Sequence, residues 1–172
     1  QVTAEQIFSI QAAAARNFGT TVHEIFETIE WWTETKEEVF RSLRSAENEE
    51  AWALVETCFA APAVQAAHSK PTPLAEVWRE KSFEVLLEGV WLSGTFDRVS
   101  IERNESGNAI AANILDYKTD RVSSPEEING SVEVYRPQLT LYRTVLASML
   151  GISENKIRVL LLFVRLSSIV EL

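Results

Sequence analysis

The sequence predicts an α/β fold in which helices come first, a three-stranded meander follows, and a long helix leads into a buried final strand. Three observations carry this. Apolar residues recur at helical spacing through the first third. From Ala75 the chain turns to runs rich in Val, Ile, Leu, Phe and Trp separated by short breaks. Ile157 to Leu166 is a near-continuous apolar run. With 172 residues, 46% hydrophobic and 24% charged, the composition is that of a folded globular chain, long enough to bury roughly 70% of its unfolded surface in one core. The organisation expected is a single domain over 1–172, with a helical part over 1–74 and an α/β core over 75–172.

The elements come in order. Residues 4–17, rich in alanine, and 19–32 read as helices, with Phe18, Val22, Ile25, Ile29 and Trp32 forming one apolar stripe. Residues 34–45 and 47–60 read as two further acidic helices, and Pro62, Pro71 and Pro73 punctuate the chain between them and Ala75. Val77 to Leu87, Val90 to Arg103 and Ala109 to Lys118 read as strands, broken at Glu88-Gly89 and at Asn104 to Asn108. A long helix is expected from about Val132 to Leu150, with Gly151 where a left-handed cap belongs. Ile157 to Leu166 then reads as a strand buried on both faces.

Charge and cysteine content narrow the function classes. The net charge is −9, which argues against a protein that coats nucleic acid by long-range attraction. The acidity is local: residues 21–60 carry ten acids and three bases, whereas residues 136–172 carry two acids and five bases. Cys58 is the one cysteine, so no internal disulfide, multi-cysteine zinc site or four-thiolate iron–sulfur cluster can be built. A reducing, cytoplasmic setting is expected. No apolar run reaches the roughly 20 residues of a membrane span, and no membrane partner is expected. The start at Gln1, without a basic segment leading an apolar one, suggests a piece of a longer protein rather than a secreted one.

The chemistry concentrates at the end of the third strand, Ile114-Leu115-Asp116-Tyr117-Lys118-Thr119. Residues two apart on a strand share a face, so Asp116 and Lys118 are presented together while Tyr117 points away. The preceding strand carries Gly94-Thr95-Phe96-Asp97, and pairing through the turn near Gly107 brings Asp97 close to Asp116. Two close carboxylates repel, and a divalent cation between them is the economical remedy. An Asp-x-Lys tripeptide by itself is more often a pair of surface charges, but here an apolar strand leads into it. His23, in Gly19-Thr20-Thr21-Val22-His23, stands beside the apolar stripe of the helix, where a structural histidine is the commoner role. Gln138 and Tyr142 stand four apart on the long helix and share a face.

Together these four segments resemble the RecB-like, AddA-like branch of the PD-(D/E)XK nucleases. That branch has G-x-x-x-H, G-x-x-D, D-Y-K-T and Q-x-x-x-Y motifs in this order, matched here by Gly19 to His23, Gly94 to Asp97, Asp116 to Thr119 and Gln138 to Tyr142. The resemblance implies a restriction-endonuclease-like core, a central mixed sheet flanked by helices. It implies that His23, Asp97, Asp116 and the Tyr117 carbonyl bind Mg²⁺ or Mn²⁺, and that Asp97, Asp116 and Lys118 form the catalytic set. Gln138 and Tyr142 would contact single-stranded DNA. Glu80 matches a weaker feature of the family, with a structural ion pair as its equal alternative. Relatives that hold an iron–sulfur cluster need four cysteines, so the cluster-free type fits. In that type the nuclease is the C-terminal domain of a helicase-nuclease processing DNA ends in recombinational repair, which makes a helicase domain of the same chain, and a second subunit, the expected protein partners. No motor is expected here, because Thr95-Phe96 follow Gly89 and Gly94 where a phosphate loop needs Lys and Ser or Thr. Two other readings remain: a degenerate DNA-binding or structural module, and an interaction domain in which Trp31, Trp32 and Trp52 form a partner surface instead of core.

Overall fold

The computed structural model describes residues 4–32 and 37–172. Helix α1 (Ala4–Glu27) is one continuous helix, where the sequence suggests two, 4–17 and 19–32. Gly19 sits inside it without breaking it. A Cβ there would lie 3.1 Å from Thr119 Oγ1, so the glycine serves a close approach of α1 to the chain after the third strand. The helix stops at Glu27, short of Trp32. Beyond its end, the carbonyls of Ile29 and Glu30 accept from Arg98 Nη1 and Nη2 at 2.7 and 2.5 Å. A buried guanidinium thus holds the turn that follows the helix, while the carbonyl of Glu27 at the negative helix end accepts from Arg79 Nη1 at 2.7 Å.

Two short helices, α2 (Glu37–Leu43) and α3 (Glu49–Cys58), replace the longer 34–45 and 47–60; residues 34–36 lie outside the described residues. A further helix, α4 (Pro62–Ala67), forms where the sequence suggests only a proline break. Proline is accepted at the first helical position, because its missing N–H has no partner there in any case. Trp52 is buried, Trp32 stacks on Phe59 with centroids 4.4 Å apart, and Trp31 lies over the Arg98 guanidinium at 5.3 Å. Each of these indoles has a structural partner within the chain.

Strands β1 (Glu76–Leu87), β2 (Val90–Arg103) and β3 (Ala109–Lys118) fall where expected, to within one residue. Helix α5 (Pro125–Leu150) begins seven residues before Val132. Ser124 caps it, its hydroxyl accepting from Glu127 N, and Pro125 takes the first turn. The last apolar run divides. β4 (Ile157–Phe163) ends before Leu166, a 3₁₀ turn covers Val164–Leu166, and an unanticipated β5 (Ser168–Glu171) returns antiparallel to β4. The five-stranded sheet has the order β1-β2-β3-β4-β5, mixed because β3 and β4 run parallel while the other neighbours run antiparallel.

Each face of the sheet buries its own core. Ala112, Ile114, Val159 and Leu161 pack with Val132, Leu139, Val145 and Leu146 of α5. Leu115, Tyr117, Leu160 and Leu162 pack with Val22, Ile25 and Phe26 of α1 and with Trp52 and Val55 of α3. The alternation along β3 therefore sends Tyr117 toward α1, while Asp116 shares the parity of the α5 face. Tyr117 closes a buried polar chain. His68 Nδ1–H donates to Val64 O at 2.7 Å, which leaves Nε2 to accept from the Tyr117 hydroxyl at 2.9 Å. Burial, and then the Arg98 charge, push the His68 pKa down to about 3. The imidazole is held neutral.

Candidate active site

Three carboxylates line up across three strands. The β1–β2 register pairs Arg79 with Arg98 and Lys81 with Phe96, which sets Glu80 opposite Asp97. The β2–β3 register ends at Arg98 with Leu115, so one step further Asp97 stands opposite Asp116. At this row the ladder lapses. Glu80 adopts φ 45°, a left-handed conformation that costs a non-glycine residue on the order of 1–3 kcal/mol. The Tyr117 N–H donates to Asp97 Oδ2 at 2.8 Å in place of a backbone acceptor. The inward alternation also inverts here. Val99 and Ile101 face the α5 core, and so does Phe96 further along β2; on β1, Trp78 and Phe83 do the same across Glu80. Such an irregularity re-aims side chains at the end of a sheet.

Helix α1 supplies the imidazole. With α1 drawn close by Gly19, His23 Nε2–H donates to the Tyr117 carbonyl at 3.2 Å, and Nδ1 lies 3.4 Å from Glu80 Oε1 and 3.5 Å from Asp97 Oδ1. Burial opposes charge on His23, but the Glu80 hydrogen bond and the charges of Asp97, Glu80 and Asp116 outweigh it and raise its pKa above the ordinary value. Asp97 is pushed up to about 7, first by burial and then by the charge of Asp116. Lys118 Nζ approaches Asp116 Oδ2 at 2.7 Å and lies 3.9 Å over the Tyr135 ring of α5. The Tyr135 hydroxyl in turn donates to Asp120 Oδ2 at 2.6 Å.

Of the residues picked out in the sequence, His23, Asp97, Asp116, the Tyr117 carbonyl and Lys118 thus converge at one end of the sheet. Glu80 joins them. Ligand atoms of His23, Glu80 and Asp97 all lie within 4.8 Å of one another. Asp116 stands outside that set, on Lys118. The donor chemistry suits a hard divalent cation, with carboxylate oxygens, an imidazole and a carbonyl. Glu80 Oε1 and Asp116 Oδ2 are buried and are met by the ion-pair contacts of His23 and Lys118 alone, which leaves lone pairs that a cation would engage. Glu80, whose contact is with His23, is both the ion pair and a member of the site. Its signal in the sequence is weak, because only the left-handed backbone turns it into the row.

Gln138 and Tyr142 do share a face of α5, and Gln138 Nε2–H donates to the Tyr142 hydroxyl at 3.3 Å. Gln138 is exposed, one turn beyond the Tyr135 ring that lies under Lys118. Tyr142 is largely buried, its ring edge-on to Phe83 and Phe96. Gly94 is what accommodates it, since a Cβ there would stand 2.6 Å from the Tyr142 hydroxyl and 2.8 Å from the Phe83 ring. Gly94→Ala should therefore displace Tyr142 and cost roughly 1–3 kcal/mol by overpacking. Urea unfolding measures that cost, and an unchanged midpoint would contradict the close approach.

A model of the PD-(D/E)XK nuclease superfamily matches residues 3–170, and the chain belongs to that family. The fold and the family together define a metal-dependent nuclease, a hydrolase. Among curated proteins, no significant match to the chain is found.

Proposed function

We propose that this domain is a Mg²⁺- or Mn²⁺-dependent deoxyribonuclease of the RecB-like, AddA-like type. It acts as an exonuclease on a single DNA strand delivered by a helicase domain of the same parent chain, in cytoplasmic DNA end processing and recombinational repair. The observation that carries the reading is the Asp116–Lys118 pair at 2.7 Å beside the His23, Glu80 and Asp97 group. An ammonium and a bank of oxygen donors at one sheet end are what hydrolysis of a phosphodiester requires. A bound divalent cation polarises a phosphoryl oxygen and lowers the pKa of its water.

The chain's own residues do the rest. His23, Glu80, Asp97, Asp116 and the Tyr117 carbonyl provide the ligand field. Lys118, held by Asp116 and the Tyr135 ring, orients the attacking water and offsets charge building on the phosphate. Gln138 and the Tyr142 hydroxyl meet the backbone of the strand. The order of the four motifs supports the choice of branch, and Cys58 alone accords with a type that lacks an iron–sulfur cluster.

The test is a labelled single-stranded oligonucleotide incubated with the domain and Mn²⁺ at low salt, since the net charge of −9 works against encounter. Cleavage that chelation stops supports the reading, and intact strand under every metal would refute it. Mn²⁺ at about 100 times its Kd should also stabilise the wild type by about 2.7 kcal/mol. Asp97→Asn and Asp116→Asn should lose most of that gain, and an undiminished thermal shift in Asp116→Asn would remove Asp116 from the ligand set.

A further inference from the structure

Beside the carboxylate row, a cavity of about 1190 Å³ opens between α1 and the chain following β3, and His23 and Glu80 are among its lining residues. Its α1 wall is built of small side chains, Ala12, Ala15 and Gly19, which leave it open. Three arginines from three separate segments also line it: Arg16 of α1, Arg121 after β3, and Arg165 of the 3₁₀ turn after β4. Elsewhere in the chain Arg79, Arg98 and Arg143 are spent on backbone carbonyls. Arg44, Arg103, Arg136 and Arg158 are each ion-paired to a glutamate. Among the described residues, no carboxylate pairs with Arg16, Arg121 or Arg165. Arg165 is instead held in place from behind, its Nε–H donating to the Thr119 carbonyl at 2.9 Å and its guanidinium 4.8 Å over the Phe18 ring.

In a chain this acidic, three unpaired guanidinium groups on one cavity wall mark a site for an anion that arrives with the substrate. We propose that Arg165, with Arg121 and Arg16, forms a phosphate rail. It would guide one nucleic-acid strand past α1 into the carboxylate row, on the side of the site away from Gln138 and Tyr142. The proposal rests on the nuclease reading. Arg165 is the anchor, because Thr119 is continuous with Asp116 and Lys118, so a phosphate bound there is placed relative to the reacting one. The lining offers little to read bases. Among the described residues, Phe18 is its one aromatic ring besides His23, and the Arg165 guanidinium already covers a face of it. The rail therefore tracks the backbone and ignores sequence. Glu50 on the same wall, and Asp120, whose carboxylate the Tyr135 hydroxyl engages, keep the groove from being uniformly basic.

The test measures binding of a fluorescent oligothymidylate to the full domain with Mn²⁺, in a Lys118→Ala background so that the strand stays whole. Arg165→Gln should bind about fivefold more weakly. Its slope of log affinity against log salt should fall by about 0.7, the value of one phosphate contact on a single strand. Arg121→Gln and Arg16→Gln, whose side chains make no contact the fold depends on, should each do likewise. Arg158→Gln, which breaks an ion pair elsewhere, should leave affinity and slope alone. A mixed-sequence strand should bind within about twofold of oligothymidylate. Unchanged affinity and slope in Arg121→Gln and Arg16→Gln would overturn the rail, as would strong sequence preference. Should wild type neither cut nor bind a strand with any metal, the nuclease reading fails instead. Cleavage by wild type with no change in these variants fails the rail alone.

Discussion

Lys118→Ala is expected to lower the rate of single-strand cleavage by at least about 10²–10³-fold, the usual loss when one preorganised donor to a developing anion is removed. Lys118→Arg should fail nearly as badly. The ammonium fits between Asp116 Oδ2 at 2.7 Å and the Tyr135 ring at 3.9 Å, a space for a compact point charge and not for a planar fork. The geometry adds a consequence for stability. Both members of the Asp116–Lys118 pair are largely buried, with side-chain exposures of 8% and 15%, and removing one partner of such a pair leaves an uncompensated charge. Metal-free Lys118→Ala should therefore melt below wild type, and Mn²⁺ should restore much of the difference, because the cation meets the charge that Lys118 no longer meets. Its Mn²⁺ affinity should equal or exceed that of wild type. Single-turnover cleavage, thermal melts with and without Mn²⁺, and calorimetric titration check the three parts. A Lys118→Ala protein that cuts as fast as wild type would refute the role.

The parts of the site that are legible in the sequence are those encoded by strand alternation. Asp116 and Lys118 have to share a face, and Asp97 has to fall opposite Asp116 once the turn near Gly107 closes β2 on β3. The hidden parts depend on departures from ideal geometry. Glu80 enters the row through a φ of 45° that no composition announces. Gly19 resembles a helix break because its use is tertiary, a packing in which a Cβ would lie 3.1 Å from Thr119 Oγ1. β5 is only four residues long and comes after a left-handed Ser167, so the apolar run before it reads as one strand through Leu166. Arg98 and His68 give no periodic signal at all, since the burial of Arg98 is satisfied by carbonyls of a distant segment and that of His68 by the local Val64 carbonyl and the distant Tyr117 hydroxyl.

His68 supplies the second large effect, on stability against pH. Its folded pKa is depressed to about 3, whereas an unfolded histidine titrates near 6.5. Below that value the unfolded chain binds a proton that the folded one refuses, so stability from this group is complete above about pH 6.5 and is lost as pH falls toward 3. The slope is about 1.4 kcal/mol per pH unit over that interval. Asp97 and His23, both shifted upward, act in the opposite direction, because a folded state that holds protons more tightly gains on acidification. The bare pH profile of the wild type therefore mixes both signs. The difference between wild type and His68→Gln isolates the first. At pH 7.5 the variant should be the less stable, having lost the fitted link between Val64 O and the Tyr117 hydroxyl. By pH 5.0 that deficit should shrink by about 2 kcal/mol, since only the wild type must keep an imidazole neutral in its core. Urea unfolding of both proteins at the two pH values, without metal, measures the change. A deficit that stays constant between pH 7.5 and 5.0 would mean that His68 is protonated in the fold, with its bond to Tyr117 reversed.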